Sequence, residues 1–212
     1  MKRLLLFTGC ALVLVHPLSQ GQGVINVSKS GTVAATFLEI PVGAAAVGLG
    51  GAFVSLANDA TALYWNPAGT ATFQHAEALV QHTAWIGDTK HDFAALVVPL
   101  GSFGTLGLSF ISLSMSDMAV RTVDRPEGTG EFFSAGDIAI GISYARTLSD
   151  RFSIGFTGKY IQQSIWHESA NAIALDAGTT FRTDLLGGLT IGAALTNFGT
   201  TMQMSGRDTR QF

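Results

Sequence analysis

DIAIGISYART, residues 137–147, and FSIGFTGKYIQQ, residues 152–163, decide the fold of this chain. In the first stretch Ile138, Ile140, Ile142 and Tyr144 alternate with Asp137, Ala139, Gly141 and Ser143. In the second, Phe152, Ile154, Phe156 and Tyr160 alternate with Ser153, Gly155, Thr157 and Lys159. Side chains of a strand point to opposite faces in turn, so a period of two predicts a strand with one apolar face. The same period runs through Thr105–Leu113, where Leu106, Leu108 and Phe110 share a side. It returns in Ile173, Leu175, Ala177 and Phe181, set against Ala174, Asp176, Gly178 and Arg182. Leu189, Ile191, Ala193 and Leu195 close the series. Residues 76–86 and 91–99 read as two further strands joined through Gly87-Asp88-Thr89-Lys90, a pairing that puts His82 near Ala95 and away from His91. The expected fold class is all-β, with about seven antiparallel strands.

The second face of these strands separates two architectures. A soluble antiparallel sheet turns Lys, Glu and Arg to water. Here the second face is mostly Gly, Ala, Ser and Thr, with Lys159, Asp176 and Arg182 scattered among them. Only 13% of the residues are charged, against about 25% in an average soluble domain. Small, weakly polar residues suit an occupied barrel interior, with the apolar stripe against lipid. A transmembrane β-barrel is therefore favoured over a soluble sandwich, and Lys159, Asp176 and Arg182 are expected to face its lumen. The turns near 100–104, 148–151 and 183–187 are short, whereas Ser114–Gly136 is a long connection. That asymmetry is the one expected of periplasmic turns and external loops. Trp85 and Trp166 fall at strand ends on the long-loop side, where an aromatic belt would sit. Seven is an odd count, and an open edge in lipid is not viable. Either a strand escapes this count or residues after Phe212 are missing, and the favoured expectation is a partial barrel, roughly half of a larger one.

Upstream of the strands the organisation is different. Lys2 and Arg3 precede the short apolar run Leu4–Val15, the pattern of a signal peptide over residues 1–21. Cys10 is the only cysteine, and removal of the signal would leave none for disulfide or thiolate chemistry. Residues 22–75 form a second segment, and 76–212 carry the strands. From Gly43 to Gly69 the chain reads GAAAVGLGGAFVSLANDATALYWNPAG. Small residues, with Gly48, Gly50 and Gly51, allow close backbone approach. Asn58 is placed to cap a short turn that begins at Asp59, whose carboxylate suits the positive helix end. Asn66-Pro67 repeats the device, and Gly69 is expected to break that turn.

Chemistry is thinly represented. Gly48, Gly50 and Gly51 suggest a dinucleotide loop, but Phe53 stands where a third glycine is needed. His75, His82, His91 and His167 lack metal-ligand spacing and read as surface or interfacial residues. Ser164 and His167 lie close in sequence without the context of a hydrolase nucleophile. No catalytic, cofactor or metal residue is assigned, no enzyme is expected, and a net charge of −3 with no basic stripe argues against nucleic acid.

The stretch GLGGAFVSLANDATALYWNPAG, with its Gly-rich run, Asn58-Asp59-Ala60 and Trp65-Asn66-Pro67-Ala68-Gly69, resembles the N-terminal motif of the PorV/PorQ family of outer-membrane proteins. Those proteins are similar in turn to FadL-type transporters of long-chain fatty acids. The resemblance implies an outer-membrane barrel of about fourteen strands, of which this chain supplies about half. It also implies a lumen plug with Asn66 and Pro67 inside it and Asp59 and Trp65 packing it in place. The implied function is protein export of the type IX kind, with exported cargo proteins and other secretion components as partners. Passive transport of hydrophobic small molecules is the second expectation, and a structural scaffold the third. A continuous apolar groove between plug and wall would favour the carrier.

Overall fold

The computed structural model describes residues 34–207. The expected signal peptide at 1–21, Cys10, residues 22–33 and residues 208–212 lie outside the described residues.

The described chain is mostly antiparallel sheet. Its long strands are β1 (Glu77–Ala84), β2 (Thr89–Pro99), β3 (Thr105–Met115), β4 (Ala135–Ser149), β5 (Phe152–Ile165), β6 (Glu168–Thr183) and β7 (Leu189–Gly199). Each pairs with the next in sequence, so the sheet is a simple meander with β1 and β7 at its edges. Ser205–Gly206 adds two residues beside Glu168 and Ser169, along the edge of β6 that also holds β7. No ladder joins β1 to β7 among the described residues. Long strands occur where the alternation predicts them, extended by a few residues at the ends. The β1–β2 register differs from expectation. His82 stands opposite Asp92, and Leu79 stands opposite Ala95. The connection is tighter than the sequence suggests because Gly87 and Asp88 both take positive φ and Thr89 already belongs to β2.

Burial follows the alternation in an inverted sense. On β5 the small-residue side, with Ser153, Gly155, Thr157, Lys159 and Ile161, is buried, whereas Phe156, Gly158 and Tyr160 are exposed. The exposed face continues across the sheet in register. Val80, Ala94, Phe110, Ile140, Tyr160 and Ile173 form one row over six strands. Two residues along, Ala78, Leu96, Leu108, Ile142, Gly158, Leu175 and Phe198 form another. The row on the other side, His82, Asp92, Ser112, Ile138, Gln162 and Asn171, is polar at every position but Ile138. Among the described residues no helix is long and apolar enough to cross a membrane, a statement that does not bear on strands.

The small-residue face is covered by residues 34–76. This segment forms short elements only: a turn of 3-10 helix at Thr36–Glu39, α1 (Ala44–Gly48), α2 (Ala62–Trp65) and a second 3-10 stretch at Pro67–Thr72. Phe37, Leu38, Val42 and Leu63 from the segment join Phe93, Val97, Ile111 and Ile161 from the strands in the main core cluster.

Candidate functional site

Asn66 is the centre of the interface between segment and sheet. It has extended backbone, is fully buried, and its side chain accepts from the Ala68 N–H at 3.1 Å. Pro67 follows at the first helical position, where its missing N–H costs nothing. The Asn66 amide donates to the Val54 carbonyl at 2.9 Å and to Thr179 of β6 at 3.1 Å. One side chain thus caps a turn, closes the segment on itself and fastens it to the sheet.

Glycines on the wall make room for that fit. A Cβ on Gly178 would lie 2.1 Å from Asn66 Oδ1, and one on Gly155 would lie 2.5 Å from the backbone of Pro67 and Ala68. On Gly107 it would meet Leu63 at 2.4 Å. Three wall side chains also bind backbone N–H groups of the segment. Glu77 takes Ala60 at 2.8 Å, Gln81 takes Gly43 at 2.9 Å, and Gln163 takes Ala35 at 2.9 Å. None of the three stands out in the sequence, because a single polar residue on a strand has no distinctive spacing.

Several expectations for the motif require correction. The acceptor before α2 is Asp59, whose carboxylate takes the Thr61 N–H at 2.9 Å and the Thr61 hydroxyl, while Asn58 is exposed. Gly69 does not end the turn, which runs on to Thr72. A Cβ there would approach the Ala57 carbonyl oxygen to 2.2 Å, so its role is close packing. Gly48 and Gly50 face open space, whereas Gly51, which like Gly50 has positive φ, lies beside the Trp65 ring. Trp65 donates to the Val42 carbonyl at 2.8 Å and packs edge-on against Phe53 and Tyr64.

Lys159 and Asp176 do meet. Their side chains are 5% and 0% exposed, and Nζ lies 2.7 Å from Oδ2, a contact made by charge rather than by a well-directed hydrogen bond. Lys159 also donates to Asn197 Oδ1 at 2.9 Å, and Asp176 Oδ1 accepts from the Asn197 N–H at 2.7 Å. Asn197 has φ of 58° at a bulge, where Thr196 and Asn197 of β7 oppose Asp176 alone. Asparagine tolerates this conformation better than most residues. Arg182 does not join them: it is exposed near the end of β6, opposite Thr190.

Two adjoining cavities lie between the segment and this network. The larger, about 400 Å³, is lined by residues that include Leu38, Glu39, Tyr64, Trp65, Lys159 and Asn197. The smaller, about 230 Å³, shares Leu38, Glu39 and Asn197 and adds Ile161, Ala172, Ala174 and Met202. Tyr64 donates to the Leu38 carbonyl at 2.9 Å. Burial, followed by the Glu39 charge, pushes its hydroxyl pKa up to about 12, so it stays a neutral donor.

The histidines are dispersed. His82 pairs with Asp92 at 2.6 Å on the exposed face, and His167 stacks on Trp166. His91, expected at the surface, is 1% exposed, and neither ring nitrogen has a hydrogen-bond partner among the described residues. The Ser164 hydroxyl donates to the Gly136 carbonyl at 2.9 Å. Among the described residues no group of three or more His, Cys, Asp or Glu could hold a metal ion.

No curated protein and no solved structure gives a significant match to the chain. One family model, described as an uncharacterised protein family (UPF0164), matches residues 19–141, which take in the segment, β1 to β3 and the start of β4. With more than half of its length matched, the chain belongs to the uncharacterised protein family UPF0164.

Proposed function

We propose that this chain forms part of the wall and the plug of an outer-membrane β-barrel of the PorV/PorQ and FadL-like kind, and that it carries hydrophobic small molecules passively. The observation that carries the transport reading is the pair of adjoining cavities between residues 34–76 and the small-residue face. Their lining sets Leu38, Tyr64, Trp65 and Ile161 beside the polar Glu39, Lys159 and Asn197, so apolar and polar surface meet there in similar measure. The membrane setting is supported by the inverted burial. Outward rows such as Val80–Phe110–Ile140–Tyr160–Ile173 would expose a broad apolar surface to water, but they match lipid. Trp85 and Trp166, both partly exposed at ends of β1 and β5, suit an interfacial belt. The segment then acts as a plug, tethered to the wall through the N–H groups of Ala35, Gly43 and Ala60.

Protein export is the second reading. It is favoured by the excursion between β3 and β4, where Met118–Ala119 pairs with Phe132–Phe133 and leaves Met118, Val123 and Phe132 exposed. Deletion of the gene in its native host separates the two. The carrier reading expects slower uptake of labelled hydrophobic compounds and an unchanged set of secreted proteins. Stalling of exported proteins in the periplasm with normal uptake would replace it by the export reading.

A further inference from the structure

The short turns of the wall have the wrong chemistry for water. Turns that face solvent are built mainly from Gly, Pro, Asn, Asp and Ser, yet each of these carries a large apolar side chain in the open. Phe103, between β2 and β3, is 75% exposed, and Leu148, at the end of β4, is exposed as well. Between β6 and β7, Leu185 is exposed and Leu186 reaches 95%. Leu186 also takes a φ of 54°, a conformation uncommon outside glycine and asparagine. A leucine held in that way, with almost none of its surface against the described chain, has no packing role there.

The height of the wall indicates what surrounds these tips. On the outward face, the row from His82 to Asn171, polar but for Ile138, ends the apolar band at the long-loop end. From Gln162 of that row to Phe152 at the turn, β5 advances about 33 Å at roughly 3.3 Å per residue. A strand tilt of about 35–45° reduces this to about 25 Å, the height of the lipid-facing band of an outer-membrane wall. The band is used up where the turns begin, so the tips lie at its edge.

Two local features agree. The hydroxyl of Tyr144, an outward residue, donates to the Phe103 carbonyl and draws the β2–β3 turn over the outward face. Arg146 follows two positions nearer the turn and is exposed. Among the described residues it is the one charged side chain on the outward rows between the polar row and the turns. An arginine at that height can lay its stem along the wall and reach lipid phosphate with its guanidinium. The spacing also favours lipid over a protein partner. Successive tips are two strands apart, about 10 Å, with Asp150 and Asp184 exposed among them. Protein hot spots cluster, whereas a spaced rim suits a planar medium.

We infer that the short-turn end is an anchor in the bilayer interface: Phe103, Leu148, Leu185 and Leu186 insert at the head-group boundary, and Arg146 meets the phosphates. This rests on the membrane reading of the outward face.

The test measures depth. Cys10→Ser removes the single cysteine, and Leu186→Cys, Leu175→Cys and Val123→Cys are each made in that background and given a nitroxide label. The full chain is refolded into phosphatidylcholine–phosphatidylglycerol vesicles. Collision of the label with oxygen, which concentrates in hydrocarbon, is compared with collision with a water-soluble nickel chelate. Leu175 stands on the outward face, and Val123, 99% exposed between β3 and β4, sets the aqueous level. The oxygen-to-chelate ratio should fall in the order 175, 186, 123, with position 186 several-fold above 123. Equal ratios at 186 and 123, with 175 still in lipid, would overturn the anchor and leave the membrane reading standing. An aqueous ratio at 175 as well would remove both. A label at 186 that is aqueous in vesicles but shielded from both reagents in native outer membranes would assign the turns to a protein partner and also overturn the anchor.

Discussion

The two faces of β5 carry the same number of side chains per turn of the pleat and have opposite fates. Toward the segment, Ser153, Gly155, Thr157 and Lys159 are buried; away from it, Phe156 and Tyr160 are exposed. In a water-soluble sheet the large apolar residues would be inside. Here the covered face is small because a folded peptide lies against it, and the open face is large because nothing in the described chain covers it. Residue size, more than polarity, marks which side is packed by protein.

The largest effect should come from the covered face. Lys159→Met leaves Asp176 as a buried carboxylate without its cation, which is expected to cost about 3–5 kcal/mol. Unfolding in urea from lipid vesicles would measure it, and adding Asp176→Leu should restore part of the loss. A single variant as stable as the parent would mean that the ion pair is not sealed from solvent.

Leu175→Arg probes the open face. Against lipid, an arginine near mid-membrane should cost about 2–4 kcal/mol. The same change on a face bathed in water should stay within about 0.5 kcal/mol. The comparison between the faces breaks if the second figure is found in vesicles.

Two glycines give the smallest and cleanest contrast. Gly178→Ala drives a Cβ toward Asn66 and is expected to destabilise by about 1–3 kcal/mol through overpacking. Gly158, on the other face, has nothing within 4 Å of the added Cβ, so Gly158→Ala should change stability by less than about 0.5 kcal/mol. Thermal unfolding followed by the gel mobility of the folded form would rank the pair.

Period-two alternation made most of the wall legible. Every stretch with clean alternation is a strand, because one large side chain every second residue suits only the pleat. Asn66-Pro67 was equally readable, since an asparagine cap and a proline at the first helical position act locally. What depends on distant partners was not. The β1–β2 register is set by positive φ at Gly87 and Asp88, and Asp88 is an aspartate that carries no strong signal for it. The bulge at Asn197 hides in Thr196-Asn197-Phe198-Gly199, where alternation has already faded. Lys159 and Asp176 were marked as inward by their strand faces, but their bond needed the β5–β6 register, and Arg182 shows that face alone does not bring residues together. Glu39, which lines both cavities, sits in a short 3-10 turn that periodicity does not address.

The tethers between segment and wall also set an order of events. Ala35 is held by a side chain 128 positions later, and Asn66 by a carbonyl 113 positions later. Loops of that length close slowly, and their closure entropy must be overcome before the contact contributes. The part of the chain synthesised early can be seated only after β5 and β6 have formed. Until then its cap, its tryptophan and its apolar side chains remain uncovered. A helper protein that holds the unfinished chain would therefore have the most to protect at the end made first.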